Sequence, residues 1–145
     1  MAAAATLAFA GCGQCGVSQP PGGGQHLVFT GPAAGTLTSA TTSCQVHPSE
    51  KQLNFLLTGT LSSQALTFNM QIYTGYTGPG TYPVGSLLDG AGNLRLEIGS
   101  YVGSSGTGAG NLVIDSGGKS GSVDADLSGG EHVKGSFKCD EVTTA

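Results

Sequence analysis

Downstream of His26, hydrophobic and polar residues alternate with a period of two along most of the chain, the pattern of strands that bury one face. In "HVKGSFKC", Val133, Gly135, Phe137 and Cys139 fall on one side and His132, Lys134, Ser136 and Lys138 on the other. "SVDADL" sets Val123, Ala125 and Leu127 against Ser122, Asp124 and Asp126. "ALTFNMQIY" sets Leu66, Phe68, Met70 and Ile72 against Thr67, Asn69 and Gln71, and "NLRLEI" sets Leu94, Leu96 and Ile98 against Arg95 and Glu97. No segment carries a sustained run of apolar residues at helical spacing. The pattern predicts about eight strands, over 26–31, 35–46, 52–61, 65–73, 93–101, 110–115, 120–127 and 131–139.

The segments between them have turn chemistry: Ser62-Ser63, Asp89-Gly90, Ser116-Gly117-Gly118 and Ser128-Gly129-Gly130. Short connections imply antiparallel neighbours. The expected fold is therefore all-β, an antiparallel β-sandwich or small β-barrel closed from a meander. Residues 74–92 are the long irregular exception. Small inward residues such as Ala125 and Gly135 point to close packing.

Composition agrees with this reading. The 145 residues suffice for one domain, and 26 of them are glycine, a poor helix former. Only 10% are charged. The net charge is −4, and Lys51, Arg95, Lys119, Lys134 and Lys138 are scattered, so no basic patch is available to a nucleic acid. No stretch approaches the ~20 apolar residues of a membrane-spanning helix.

The N-terminal segment has a different character. "MAAAATLAFAG" is a short apolar run like the hydrophobic region of a signal peptide, although no Lys or Arg precedes it. Phe9-Ala10-Gly11-Cys12 then resembles the bacterial lipobox, in which small residues precede a cysteine that is acylated and becomes the mature N-terminus. Phe9 departs from the usual Leu. On this reading residues 1–11 are the remnant of a lipoprotein signal peptide, Cys12 is the lipid attachment site, and 12–25 form a flexible Gly/Pro-rich tether to a single β domain at 26–145. Two other readings of Cys12-Gly-Gln-Cys15 stay open: a redox or metal Cys-x-x-Cys pair, and a tail whose cysteines are uninformative or disulfide-paired. The following Pro20-Pro21-Gly22 is not the helix start that a redox motif uses, and a zinc site lacks a second cysteine pair.

Cys44 and Cys139 both fall within predicted strands. In an oxidising compartment they are expected to form a disulfide that ties an early strand to the last one, the alternative being two buried free thiols.

This layout of lipobox, Gly/Ser/Pro tether and small β domain resembles small actinobacterial-type surface lipoproteins, the mycobacterial lipoprotein antigen family in particular. The most similar stretch is "GTGAGNLVIDSGGKSGSVDADLSGGEHVKGSFKC". The resemblance implies an extracytoplasmic, membrane-anchored, non-enzymatic protein.

Signatures of chemistry fail at defined positions. "VIDSGGKS" has Val113 where a phosphate loop needs its first glycine, and "GTGAGN" has Asn111 where a dinucleotide fingerprint needs its third. "DADLSG" opens like a calcium loop at Asp124, Asp126 and Ser128, but its twelfth position is Gly135 instead of Glu. These acids read as the wet face of a strand. His26, His47 and His132 are isolated in sequence. No catalytic residue, metal or cofactor is expected.

"YTGYTGPGTYPVG" gathers Tyr73, Tyr76 and Tyr82 among glycines and prolines. Tyrosines offer large contact area at low entropic cost, so the three are a candidate patch for a glycan, lipid or protein ligand. Alternatively, they cap the open end of the core. The function expected is a non-catalytic surface or binding protein on the cell membrane. One alternative is a carrier enclosing a small lipid or other apolar ligand between its sheets. Another is an envelope enzyme with no recognisable motif.

Overall fold

The computed structural model describes residues 23–85 and 89–145. The lipobox residues Phe9 to Cys12, Cys15 and the tether up to residue 22 lie outside the described residues. The alternating pattern builds ten strands, and no helix occurs among the described residues. They are β1 (Gly23–Thr30), β2 (Gly35–His47), β3 (Gln52–Leu61), β4 (Gln64–Ile72), β5 (Gly80–Val84), β6 (Gly92–Ile98), β7 (Tyr101–Ile114), β8 (Ser120–Leu127), β9 (Glu131–Lys138) and β10 (Glu141–Thr144).

β1 to β9 close into a barrel, because β1 pairs with both β9 and β2. Closure removes the free sheet edges that invite aggregation. Neighbouring strands of the wall pair antiparallel, as short turns require, apart from the single parallel β5–β6 pairing. The β3–β4 turn shows the chemistry well: Ser62 and Ser63 both adopt left-handed φ (50° and 65°), the type I′ geometry that matches strand twist.

Two strands depart from the expected eight. β5 lies inside the segment expected to be irregular. It wedges between β6 and β7, pairing antiparallel with Gly110–Ile114 of β7 and touching β6 only through Val84 and Gly92. β10 runs parallel to β2 along Ser43–Val46, beyond the stretch of β2 that β1 covers. β7 also begins nine residues before its expected start, and β6 ends at Ile98 instead of 101. Residues 23–25, expected in the tether, belong to β1.

The inward positions carry the core. Phe55 meets Phe137 at 4.8 Å between ring centroids and Phe29 meets Phe68 at 5.8 Å, both edge to face. Leu27, Leu53, Leu57, Met70, Ile72 and Leu96 fill the layers around them. Outward positions are mostly polar, with Val28, Leu56 and Val102 among the apolar exceptions, so no continuous apolar outer band like that of a transmembrane barrel forms on the described strands. Gly135 fits where nothing larger does: its φ is +147° and a Cβ there would collide with the His26 carbonyl oxygen.

The Cys44–Cys139 disulfide is formed, with its Cα atoms 5.9 Å apart and a sequence separation of 95. It fixes the end of β9 against β2 where the chain turns into β10. Asp140 completes that turn: its carboxylate accepts the Thr42 N–H at 2.8 Å, and its own N–H donates to the Thr42 carbonyl at 3.0 Å.

Candidate functional site

The outward faces of β4 and β6 lie side by side, so their polar residues form cross-strand rows. Gln71 stands opposite Asn93, Asn69 opposite Arg95 and Thr67 opposite Glu97. β7 continues the middle row with Ser104 opposite Arg95. Past that pair the β6–β7 ladder stops because β5 pushes the strands apart. There the Leu94 N–H donates to the Ser105 side-chain oxygen (2.9 Å) instead of to a backbone carbonyl. A groove of about 490 Å3 on the outer surface runs over these rows, with Ser104 and Ser105 of β7 on one side and Leu56 of β3 on the other.

Three polar side chains of the groove have a defined state. Asn69 Nδ2 donates to Asn54 Oδ1 at 3.0 Å, which leaves its own carbonyl oxygen as an acceptor. Arg95 Nε donates to Glu97 Oε1 at 2.8 Å, so the two charges compensate and the guanidinium retains its terminal N–H groups. Asn93 Nδ2 is buried and has no hydrogen-bond partner. A buried unpaired donor costs about 1–3 kcal/mol, which a bound acceptor would recover. Tyr73 lines the same groove and is 42% exposed, a large aromatic at the wet surface.

The three candidate tyrosines therefore do not form one patch. Tyr82 is only 6% exposed; its hydroxyl donates to the Gly78 carbonyl at 2.5 Å and accepts the Thr77 N–H at 3.2 Å. Tyr76 packs on it, ring centroids 5.8 Å apart, and its backbone N–H donates to the Lys51 carbonyl. Tyr76 and Tyr82 close the barrel end that carries the β2–β3 and β7–β8 turns. Burial, followed by the neighbouring Tyr82, raises the Tyr76 phenol above the ordinary tyrosine value. Only Tyr73 reaches the groove, because it continues the outward parity of Thr67, Asn69 and Gln71.

Sequence reasoning set Asn69, Gln71, Arg95 and Glu97 on the polar faces of their strands and missed the groove. One signal was present: the outer residues of β4 and the position after it run Thr67, Asn69, Gln71 and Tyr73, with no charged residue among them. The split itself depends on β5, which local pattern did not reveal.

Other polar clusters are internally paired. On β8 and β9, Asp124 pairs with Lys134 (2.7 Å) and His132 (3.2 Å), and Asp126 with His132 (2.7 Å). The acids of the calcium-loop-like "DADLSG" are thus the wet face of a strand, and they flank an outer cleft of about 440 Å3 between β1 and β9 that is lined by His26, Val28, Thr30, His132, Lys134 and Gly135. Glu131 turns inward at the opposite barrel end and is 1% exposed. Its Oε2 accepts the Ala33 N–H at 2.7 Å, while Oε1 has no partner. Among the described residues, no group of three or more His, Cys, Asp or Glu is placed to hold a metal ion.

No family model, curated protein or solved structure matches the chain, so the functional reading of the groove rests on its own geometry and chemistry.

Proposed function

We propose that this chain is an extracytoplasmic lipoprotein, anchored to the membrane through Cys12, that acts as a non-catalytic binding protein and presents the outer β4–β6–β7 groove to its partner. The observation that carries this reading is the division of labour in the barrel. Inward positions are taken up by packed aromatic and aliphatic side chains, while the groove on the outside holds an unpaired amide and an exposed tyrosine. A carrier would need that interior for its cargo. The Cys44–Cys139 disulfide supports an oxidising compartment, where such bridges persist. The lipobox-like Phe9-Ala10-Gly11-Cys12 supports the anchor.

The test is intact mass spectrometry of the protein extracted from its native membranes, beside the Cys12→Ala variant. A mature chain starting at Cys12 with added acyl mass, and release of Cys12→Ala into the soluble fraction, are the expected results. An unlipidated chain that retains Met1 overturns the anchor.

A further inference from the structure

We infer that the outer groove binds a neutral glycan chain, an inference that rests on the groove being the binding surface proposed above. The groove is open along the barrel wall, and its size lies within the range of about 300–1,000 Å3 occupied by small-molecule sites. An open trough suits a segment of a longer polymer better than a small compact ligand, which would be enclosed.

The chemistry of the walls narrows the class. A sugar hydroxyl both donates and accepts, and an amide side chain offers one group of each kind. Gln71 and Asn93 sit directly opposite one another, with Asn69 one row further on, so three amides face the same trough. Asn93 Nδ2 is a donor already withdrawn from water without a partner, and a hydroxyl or ring oxygen in the groove would satisfy it. Tyr73 adds an exposed aromatic face at the edge, a surface on which the apolar C–H face of a pyranose can pack.

Charge decides against the other ligand chemistries. Arg95 is the cation lining the groove and Glu97 compensates it at 2.8 Å. A phosphate, sulfate or uronate would have to compete with Glu97 for Arg95 and would bring excess negative charge to a chain of net charge −4. An extended peptide gains its affinity from the backbone groups of a sheet edge. At the split, the Leu94 N–H is already taken by Ser105.

The experiment titrates the isotope-labelled, disulfide-bonded chain with neutral oligosaccharides, namely gluco-, manno-, galacto- and arabino-oligosaccharides. Inorganic phosphate, a uronic-acid oligosaccharide and vesicles containing phosphatidylglycerol serve as comparison probes, and amide and side-chain NMR shifts are followed. At least one neutral oligosaccharide is expected to give saturable shifts at Gln71, Tyr73 and Asn93. Losing the Asn93 hydrogen bond in Asn93→Leu, or the ring in Tyr73→Ala, is expected to weaken binding about tenfold. Tyr73→Phe should leave affinity nearly unchanged, because the ring face and not the hydroxyl does the packing.

Silence from every neutral oligosaccharide overturns the inference, as does binding that Asn93→Leu and Tyr73→Ala both leave intact while the spectra show a folded barrel. If vesicles or the acidic probes shift the groove residues and neutral sugars do not, the glycan inference falls and the binding-surface reading stands. Sugar-induced shifts confined to residues outside the groove overturn both.

Discussion

Gln25 pairs with both backbone groups of Lys138: its Oε1 accepts the Lys138 N–H at 2.9 Å, and its Nε2 donates to the Lys138 carbonyl at 3.1 Å. The same Nε2 also reaches Thr42 Oγ1 (2.7 Å) and the Ala40 carbonyl (3.3 Å) on β2. The β1–β2 register shifts between Gly23 and Leu27, so the backbone ladder fails at this point of the seam. A side-chain amide, which carries the donor and acceptor of a peptide group, fills the gap and joins the three strands on which barrel closure depends.

Replacing Gln25 with Leu would leave the buried partners of that amide without bonds. Gln25 is 4% exposed, so water cannot readily substitute. The expected loss is about 2–3 kcal/mol of unfolding free energy, the scale of a buried unsatisfied group, read from urea denaturation. A loss under about 0.5 kcal/mol, the range of ordinary surface substitutions, would mean that the seam does not depend on this residue.

The disulfide acts at the same seam but through the unfolded chain. Cys44 and Cys139 lie 95 residues apart. Chain-entropy reasoning puts the stabilisation from closing a loop of that length at about 4–5 kcal/mol. The Cys44→Ala/Cys139→Ala double variant should therefore unfold at much lower urea, and unfolding of the wild type under reducing conditions should approach that of the variant. Equal midpoints for the oxidised wild type and the variant would refute a stabilising role.

Ser62 and Ser63 hold left-handed φ values that suit Asn and Gly better. The Ser62→Asn/Ser63→Gly variant is expected to stabilise the barrel by about 0.5–1 kcal/mol without changing its spectrum, because the hairpin register is already set by nine paired positions from Leu53–Ile72 to Leu61–Gln64. Thermal unfolding measures it, and a lower midpoint would show that the serine hydroxyls contribute more than the turn geometry suggests.

How much of this was legible in the sequence follows from how local each cause is. The core face of β4, Leu66 to Ile72, could be read because strand parity is a local property. The pairing of Cys44 with Cys139 needed only their places in an early and a late strand. Gln25 lay hidden in what reads as a polar tether, since nothing local distinguishes a buried amide from a solvated one. β5 was missed because Gly80, Pro83 and flanking glycines obscure its five residues, and it is held by β7, which lies far along the chain. The first part of β7, "YVGSSGTGAG", lacks the apolar alternation of the other strands. There β7 advances five residues from Ser105 to Gly110 while β8 advances two from Ala125 to Leu127, and such a bulge breaks the parity on which pattern reading depends. The groove inherits the second failure, because Ser104 and Ser105 of β7 line one side of it.

The charged pairs on β8 and β9 predict an acid-side pH dependence of defined sign. A hydrogen bond from Lys134, aided by the charges of Lys134 and His132, holds the Asp124 carboxyl below the ordinary carboxylate value, with burial opposing. A carboxyl whose folded-state pKa is depressed contributes stability above its unfolded pKa and loses that contribution as pH falls through the folded value. The pair sits at the surface, where solvent screens it, so its contribution to stability is small and the titration itself is the better readout. In Lys134→Met the Asp124 midpoint should rise towards the ordinary value of 3.8, because the largest cause of its lowering is removed. Carbon-detected NMR of the Asp carboxyl groups follows this directly. Above the ordinary carboxylate range the stability difference between wild type and Lys134→Met should be independent of Asp124 protonation, and it should shrink as pH falls through the wild-type midpoint. An Asp124 midpoint unmoved by Lys134→Met would show that the 2.7 Å contact does not persist in solution.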